Sequence, residues 1–483
     1  MDIMNDWNET LVTEENEKFR TEVATMDKQG TRKWIYAKKP SGKYTNYRQI
    51  VSTILLLSLV VLPFIKLPNG NPIFKFDVFN TIFILFGYPF FTTDFFLLAI
   101  GMIVSVVFII IFTTVYGRLF CGWLCPQTIF LEFIFRKIEF LIEGDRNKQM
   151  RLDKQEWNEE KIIKRGSKWL IFAIISLFFT NVFLAYMLGA DVLIQYILDG
   201  PFEHFTMFLG MIIFSGLFYF VFAWFREQAC TLVCPYGRFQ GVLVDKKTMQ
   251  VSYDYVRGEG KIGRSKFRKN EDRKELGKGD CIDCGQCVAV CPTGIDIRNG
   301  SQLECVNCTA CMDACDDVMS KVGFPTGLVK FASEENISQG TPFKINARLV
   351  AFSAALILML VAMTSFMVNR SDVEVKFLQV PGKDFSVEGE YITNTLQYNL
   401  MNKTNHTYKL TVDVKTFRDG KAEILNEDHQ FISLDKGKLK QGLIKIKIPR
   451  KDLTSYKVPI DLEIKDKNGK EIDSYVISFM APF

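Results

Sequence analysis

Five apolar runs punctuate the chain, at residues 50–67, 94–116, 169–188, 205–225 and 347–368. Each is near the ~20 residues an α-helix needs to cross a bilayer, so they predict five transmembrane helices. A shorter run, 78–91, is interrupted by Gly87 and Pro89 and reads as a re-entrant or interfacial segment. Another apolar stretch, 129–142, carries Arg136, Lys137 and Glu139 among its hydrophobic residues, as a helix lying along a membrane surface would. From about residue 372 the period changes to two. Tyr408, Leu410, Val412 and Val414 alternate with Lys409, Thr411, Asp413 and Lys415, and Ile444, Ile446 and Ile448 alternate with Lys445 and Lys447. Asn468-Gly469 between two such runs is a hairpin signal. Roughly 110 residues of this pattern predict an immunoglobulin-like β-sandwich.

Composition supports this division: 48% hydrophobic content with 43 Phe is more apolar than a typical soluble enzyme. The net charge of +5 resides mainly in the flanks of the apolar runs. Arg32, Lys33, Lys38, Lys39, Lys43 and Arg48 precede the first run, and residues 117–168 hold eleven Lys or Arg; residues 69–93 hold one Lys and 189–204 none. Lys and Arg favour the cytoplasmic side. The plan that follows is a cytoplasmic N-terminal segment (1–46), a membrane domain with four helices (47–235), a cytoplasmic insert (236–346, with a ferredoxin-like core at about 275–330), a fifth helix (347–368) and a periplasmic β-sandwich (369–483). The first 40 residues contain no signal-peptide core, so the first helix is expected to be a retained anchor in a bacterial inner membrane. No basic stripe with interleaved aromatics points to nucleic acid.

All twelve cysteines fall between Cys121 and Cys315, on the side where thiols stay reduced. This distribution points to metal or redox chemistry rather than a disulfide framework. CIDCGQCVAVCP supplies Cys281, Cys284, Cys287 and Cys291, and CVNCTACMDAC supplies Cys305, Cys308, Cys311 and Cys315. This is the bacterial ferredoxin spacing twice over, in which the fourth Cys of each run serves the other cluster. Two 4Fe-4S clusters are expected, one on Cys281, Cys284, Cys287 and Cys315, the other on Cys305, Cys308, Cys311 and Cys291. Gly285 keeps the first loop compact. Asp316 follows Cys315 where Pro is usual, which would bring a negative charge near the first cluster. Two structural zinc sites are the competing reading.

CGWLCPQTIF and CTLVCPYGRF place Cys121, Cys125, Cys230 and Cys234 at the ends of two apolar runs. Pro126 and Pro235 suit the first turn of a new helix, which would put Cys125 and Cys234 at helix N-termini and lower their thiol pKa values. The two motifs form an internal repeat, with an Arg (Arg118, Arg226) at the end of each run. Brought together, the four thiolates could hold one soft metal ion such as Cu(I). Ordinary buried cysteines are the plainer reading. GEGKIG, at 258–263, matches a dinucleotide-binding pattern, but no hydrophobic strand immediately precedes it and it reads as a flexible linker. With only His204, His406 and His429 present, haem ligation by paired histidines is not expected.

In motif order the chain resembles the FixG/RdxA family of cytochrome c oxidase accessory proteins (CcoG), which are membrane-bound polyferredoxins. A looser likeness to the membrane ferredoxins NapH and NosR is also visible. The first resemblance implies assembly of a cbb3-type oxidase by reduction of Cu(II) to Cu(I). On that reading the chain is a cupric reductase without a known donor, and Cys121, Cys125, Cys230 and Cys234 are copper ligands or redox thiols, with copper as substrate or ligand. The expected partners are the membrane, the oxidase assembly machinery or copper carriers and an electron donor, with homodimer formation left open. The family's Tyr-Asp and Arg-Gly-Glu stretch reads YDYVRGEGK here, and no role follows from its residues. Two other functions compete: a NapH-like quinol-linked electron-transfer subunit, and a non-enzymatic scaffold or redox sensor.

Overall fold

The computed structural model describes residues 25, 31–68, 70–78, 82–91, 95–268, 271–341, 347–368, 372–380, 385–404, 406–417, 419–425, 431–467 and 469–482. The chain divides into two units. One comprises Met1–Val61, Met102–Leu184 and Gln195–Met359; the other comprises Leu62–Gly101, Ala185–Ile194 and Leu360–Phe483.

Among the described residues, four helices are long and apolar enough to cross a membrane: Lys43–Phe64, Leu98–Tyr116, Glu159–Leu188 and Phe205–Phe225. The fifth expected span does form a helix, Ala347–Val368, but its described apolar stretch, Val350–Phe366, falls short of that length. Where it is described, the run at 78–91 forms short strands. Phe74–Asp77, Ile82–Leu85 and Tyr88–Phe90 form an antiparallel meander, turned by left-handed Phe86 and Gly87.

The stretch at 129–142 departs further from expectation. Helix Pro126–Phe130 runs through a π-helical turn, Leu131–Phe135, into helix Arg136–Ile142, and its inner face is buried in protein. Phe130 packs edge-on against Phe179, and Phe135 against Phe172, each pair 4.7 Å between ring centres, with Phe218 and Phe222 completing the cluster. Such pairs add ~0.5–1.5 kcal/mol beyond area burial. Arg136 and Glu139 are buried as well, so the charges that resembled a solvated helix face are ion-pair partners inside the protein.

In the other unit the C-terminal region is a two-sheet sandwich. One sheet runs Lys421–Leu425, Leu439–Pro449, Tyr391–Asn402, Val373–Gln379, with Ser386–Glu388 added to Tyr391–Asn402; the other runs Ile432–Leu434, Tyr408–Val414, Lys457–Asp466, Glu471–Met480. The period-two positions face inward: Ile444, Ile446, Ile448 and Leu410 are fully buried. Lys457–Asp466 and Glu471–Met480 pair antiparallel with an irregularity at Ile464/Lys465, while Asn468 of the expected turn lies outside the described residues, as does His429.

Candidate functional site

The two ferredoxin-type loops fold as copies of one turn. Asp283 and Gly285 have φ of 48° and 62°, and their counterparts Asn307 and Thr309 have 52° and 63°. A left-handed backbone at Asp, Asn and above all β-branched Thr costs free energy, and such residues persist where the surroundings over-determine them. Each turn opens into a helix, Gln286–Ala289 or Ala310–Val322. The thiols gather in two sets. Cys315 lies within electrostatic reach of Cys281, Cys284 and Cys287, and Cys291 within reach of Cys305, Cys308 and Cys311. The sets abut, since Cys311 also senses Cys287. Cys287, Cys291, Cys305, Cys308 and Cys311 line one cavity with Val306, Ile295 and Ile297.

That donor set fits a cubane rather than a single ion. Among the described residues no three His, Cys, Asp or Glu side chains converge closely enough to hold one metal ion. Two apolar-lined sets of four thiols are the ligand chemistry of 4Fe-4S groups. Burial pushes the free thiols of Cys287, Cys305 and Cys315 up to about 12 and that of Cys308 to about 11, so cluster insertion has to release their protons.

The first loop is held by the stretch that had no role in the sequence. Strand Gln250–Tyr253 pairs with Val329–Ala332, and a helical turn, Tyr255–Glu259, follows, capped by Asp254. The Cys281 N–H donates to the Gly258 carbonyl at 3.0 Å, Arg257 pairs with Asp280 at 2.6 Å, and the buried Arg273 donates to the carbonyl of Cys281 at 3.0 Å. Gly258 is required for closeness: a Cβ there would collide with the Tyr253 hydroxyl. That hydroxyl is buried, and its partner is the Cys281 thiol, which acts on it by charge and by hydrogen bonding. GEGKIG is therefore not a flexible linker over its first three residues, which are packed against the base of the first loop. Asp316 accepts the Gly327 N–H at 2.7 Å and adds its charge beside Cys315.

The second loop is buried against the first Cys-x-x-x-Cys-Pro motif. Cys121 packs against the buried cluster formed by Val290, Val306, Cys308 and Ala310. A Cβ on Gly122 would run into the Val306 carbonyl, and buried Arg48 donates to the Gly122 carbonyl at 2.7 Å while its charge reaches Cys308. The N-terminal strap ties both loops down. The Lys38 N–H donates to the Ala289 carbonyl at 2.8 Å, and Asp313 accepts the N–H groups of Tyr44 (3.0 Å) and Thr45 (2.7 Å) and the Thr45 hydroxyl (2.6 Å).

Cys121, Cys125, Cys230 and Cys234 come together as one quartet, every pair within electrostatic reach. All four thiols are half-buried. Cys125 and Cys234 adopt matching backbones (φ, ψ −65°, 125° and −65°, 112°) with Pro at the first helical position after each. The expected fall in pKa does not occur at Cys125: burial outweighs the N–H groups of Gln127 and Thr128 and raises it. Burial likewise lifts Cys121 to about 11 and Cys230 to about 12.

The repeat is offset by one residue from its sequence reading. Counting from the cysteines, Arg226 corresponds to Gly117, and both turn left-handed, at 52° and 56°. The guanidinium of Arg226 is held bidentately by Glu139 at 2.8 and 3.0 Å and lies 4.8 Å from the Trp34 ring centre. Arg136 joins Glu132 to Glu227, and Lys168 pairs with Glu143 at 2.8 Å. Burial alone would raise the Glu139 carboxyl, but Arg226 and Lys168 leave it below its usual range. Its stabilising share is complete above the unfolded pKa of ~4.3 and is lost as pH falls through the lower folded value. Cross-bonds join the halves: Arg118 donates to the Gly237 carbonyl, and Gln127 to that of Arg226 at 3.3 Å.

Thiol sets of this kind on a chain with membrane-length apolar helices define a membrane-associated iron–sulfur electron-transfer protein. Residues 225–334 match a family described as a 4Fe-4S dicluster domain, residues 98–146 a 4Fe-4S binding domain, and residues 363–482 the immunoglobulin-like fold at the C-terminal end of FixG. Among curated relatives, Protein RdxA of Cereibacter sphaeroides is 35% identical over 63% of this chain and 64% of its own length. Nitrogen fixation protein FixG of Rhizobium meliloti is 35% identical over 62% of this chain and 57% of its own. The chain is thus similar to the FixG and RdxA proteins in its iron–sulfur region and in its C-terminal domain. Its aligned part spans less than two thirds of those relatives. The crystal structure of a FixG-related protein from Vibrio parahaemolyticus covers 24% of this chain and all of that chain at 21% identity and a TM-score of 0.21, a likeness too loose to add to what the strands themselves show.

Proposed function

We propose that this protein takes up electrons on the cytoplasmic face of a bacterial inner membrane, delivers them to the thiol quartet and there reduces Cu(II) to Cu(I) for maturation of a cbb3-type oxidase. The observation that carries this reading is the packing of Cys121 against the buried apolar cluster of the second loop that contains Cys308, which brings the quartet beside one cluster-type set while the two sets abut each other. Cys281, Cys284, Cys287 and Cys315 would hold one 4Fe-4S group and Cys291, Cys305, Cys308 and Cys311 the other; when bound, they supply one-electron carriers.

The remaining work falls to the chain. Arg48 and Arg118 bring positive charge to Cys308 and Cys305, which favours electron arrival at the buried set. Gln240, itself buried, accepts from the Cys121 thiol at 3.5 Å and orients it. Copper would displace protons from the quartet and meet soft thiolate sulfur, and each Cu(II) takes one electron from the reduced protein. Copper is substrate here, a role that suits thiols not drawn into a closed ion site. The asymmetry of Lys and Arg supports the cytoplasmic placement of both loops, and the C-terminal sandwich is read as a periplasmic docking domain for the oxidase assembly machinery or copper carriers.

The test mixes anaerobic, reduced protein, freed of excess reductant, with Cu(II) and a Cu(I)-specific chelator while cluster absorbance is followed. Cu(I) should appear in step with cluster oxidation and be lost in a Cys121→Ala/Cys230→Ala variant of unchanged iron content. Intact reduced protein that yields no Cu(I) would sink the copper step and favour a quinol-linked carrier.

A further inference from the structure

An electron path needs an entry, and the eight cluster-type cysteines are not equally accessible: Cys284 is exposed and the other seven are buried or half-buried. Beside it, the described stretches 260–268 and 271–278 are tied together at their base. Gly260 bridges Lys278, the Lys278 N–H donates to the Arg273 carbonyl at 2.8 Å, and Arg273 donates to the carbonyls of Gly279 (2.9 Å) and Cys281 (3.0 Å). The loop is thus rooted three residues from Cys284. Its flank reaches the same place from the other side, because the charge of Arg264 acts on Asp296, which holds Arg298 at 2.7 Å, and Arg298 in turn pairs with Asp283.

What this loop presents outward is basic and apolar together. Lys261, Arg264, Lys266, Arg268 and Lys274 are exposed, against the exposed acids Asp272 and Glu275. Among them Ile262 is 69% exposed, with Phe267 and Leu276 also open to solvent. Phe267 packs edge-on against Phe324 on one side and is open on the other, while Ile262 and Leu276 lie largely in solvent. Set among charges that are mostly positive, they are the composition of a transient docking surface, where charge steers the encounter and apolar contact holds it briefly.

We propose that this loop and the Cys284 face together dock an acidic one-electron carrier protein, which reduces the chain at its exposed cysteine loop. This rests on the electron-transfer part of the function proposed above and not on copper. The step balances simply: the reduced carrier, a low-potential iron–sulfur or flavin protein, loses one electron and this protein gains it, with no bond made and no proton moved. An anionic membrane surface would also attract a basic, apolar loop. The carrier is favoured because the loop is rooted at the exposed ligand, which a covering lipid surface would close off.

The test uses the full-length, cluster-loaded protein in detergent, a strongly acidic plant-type ferredoxin reduced beforehand as the probe, and reduced methyl viologen as a small-molecule control. Cluster bleaching is followed by stopped flow at increasing salt. The ferredoxin rate constant should fall by about tenfold or more as salt screens the steering. A Lys261→Glu/Lys266→Glu/Lys274→Glu variant should be slowed similarly at unchanged iron content and unchanged viologen rate. A ferredoxin rate indifferent to both salt and the variant overturns the proposal. So does a variant that keeps its ferredoxin rate but no longer sediments with phosphatidylglycerol vesicles, which would give the loop to the membrane. Bleaching by neither reductant would remove the electron-transfer reading itself, whereas loss of Cu(II) reduction alone leaves this proposal standing.

Discussion

The two cysteine loops share a backbone and differ in what surrounds it. CIDCGQC turns through Asp283 and Gly285 and leaves Cys284 open to solvent, while CVNCTAC makes the same turns through Asn307 and Thr309 with Cys308 sealed beneath Cys121. Glycine carries the left-handed turn where little else packs on the loop; threonine carries it where burial enforces the conformation. The ligand spacing therefore sets what each loop can hold, and the surroundings set what it can reach: solvent for one, the thiol quartet for the other.

The comparison breaks most completely at the ligands. Cys308→Ser should remove about half of roughly eight irons and abolish Cu(I) formation from chemically reduced protein; Cys284→Ser should remove a similar share of iron yet leave Cu(I) formation from a small reductant. Iron assay and chelator absorbance together check this. The clamps come next. Asp313→Asn, which weakens three charge-assisted hydrogen bonds to the strap, should cost about 2 kcal/mol, whereas Gln286→Ala, which deletes one exposed bond from Lys38, should cost under about 1 kcal/mol in thermal unfolding. Exchanging the turn residues tests the same contrast on the backbone: Gly285→Thr should lose roughly 1–3 kcal/mol, and Thr309→Gly should change stability by less than about 1 kcal/mol, relief of strain offsetting lost chain stiffness. The smallest effect on stability is expected from Tyr253→Phe. Its hydroxyl faces the thiol of Cys281, and a donor near a cluster sulfur stabilises the reduced state. The variant should lower one cluster potential and leave the other in place, as an EPR-monitored redox titration would show.

Much of this was legible in the sequence because cysteine spacing is local. Each four-cysteine run, the prolines after Cys125 and Cys234 and the alternation around Ile446 declare their geometry within a dozen residues. What escaped was long-range or ambiguous in period. The meander at 74–90 consists of strands of three and four residues, too short for alternation to register. Arg136 and Glu139 have the spacing of a polar helix face, and only the distant Glu227 and Arg226 reveal them as buried partners. The repeat was aligned on charge, matching Arg118 with Arg226, when backbone handedness pairs Arg226 with Gly117. Nothing local in YDYVRGEG signals that Gly258 receives the N–H of Cys281.

The strap has a consequence in time. Tyr44 and Asp313 are 269 residues apart, and at ~5–20 residues per second the ribosome needs roughly 15–55 s to make the second after the first. The earliest part of this unit to be synthesised is thus among the last to find its place. Closing the strap therefore waits until the turns of both cysteine loops have been made, since Asp313 follows Cys284 and Cys308 in the chain.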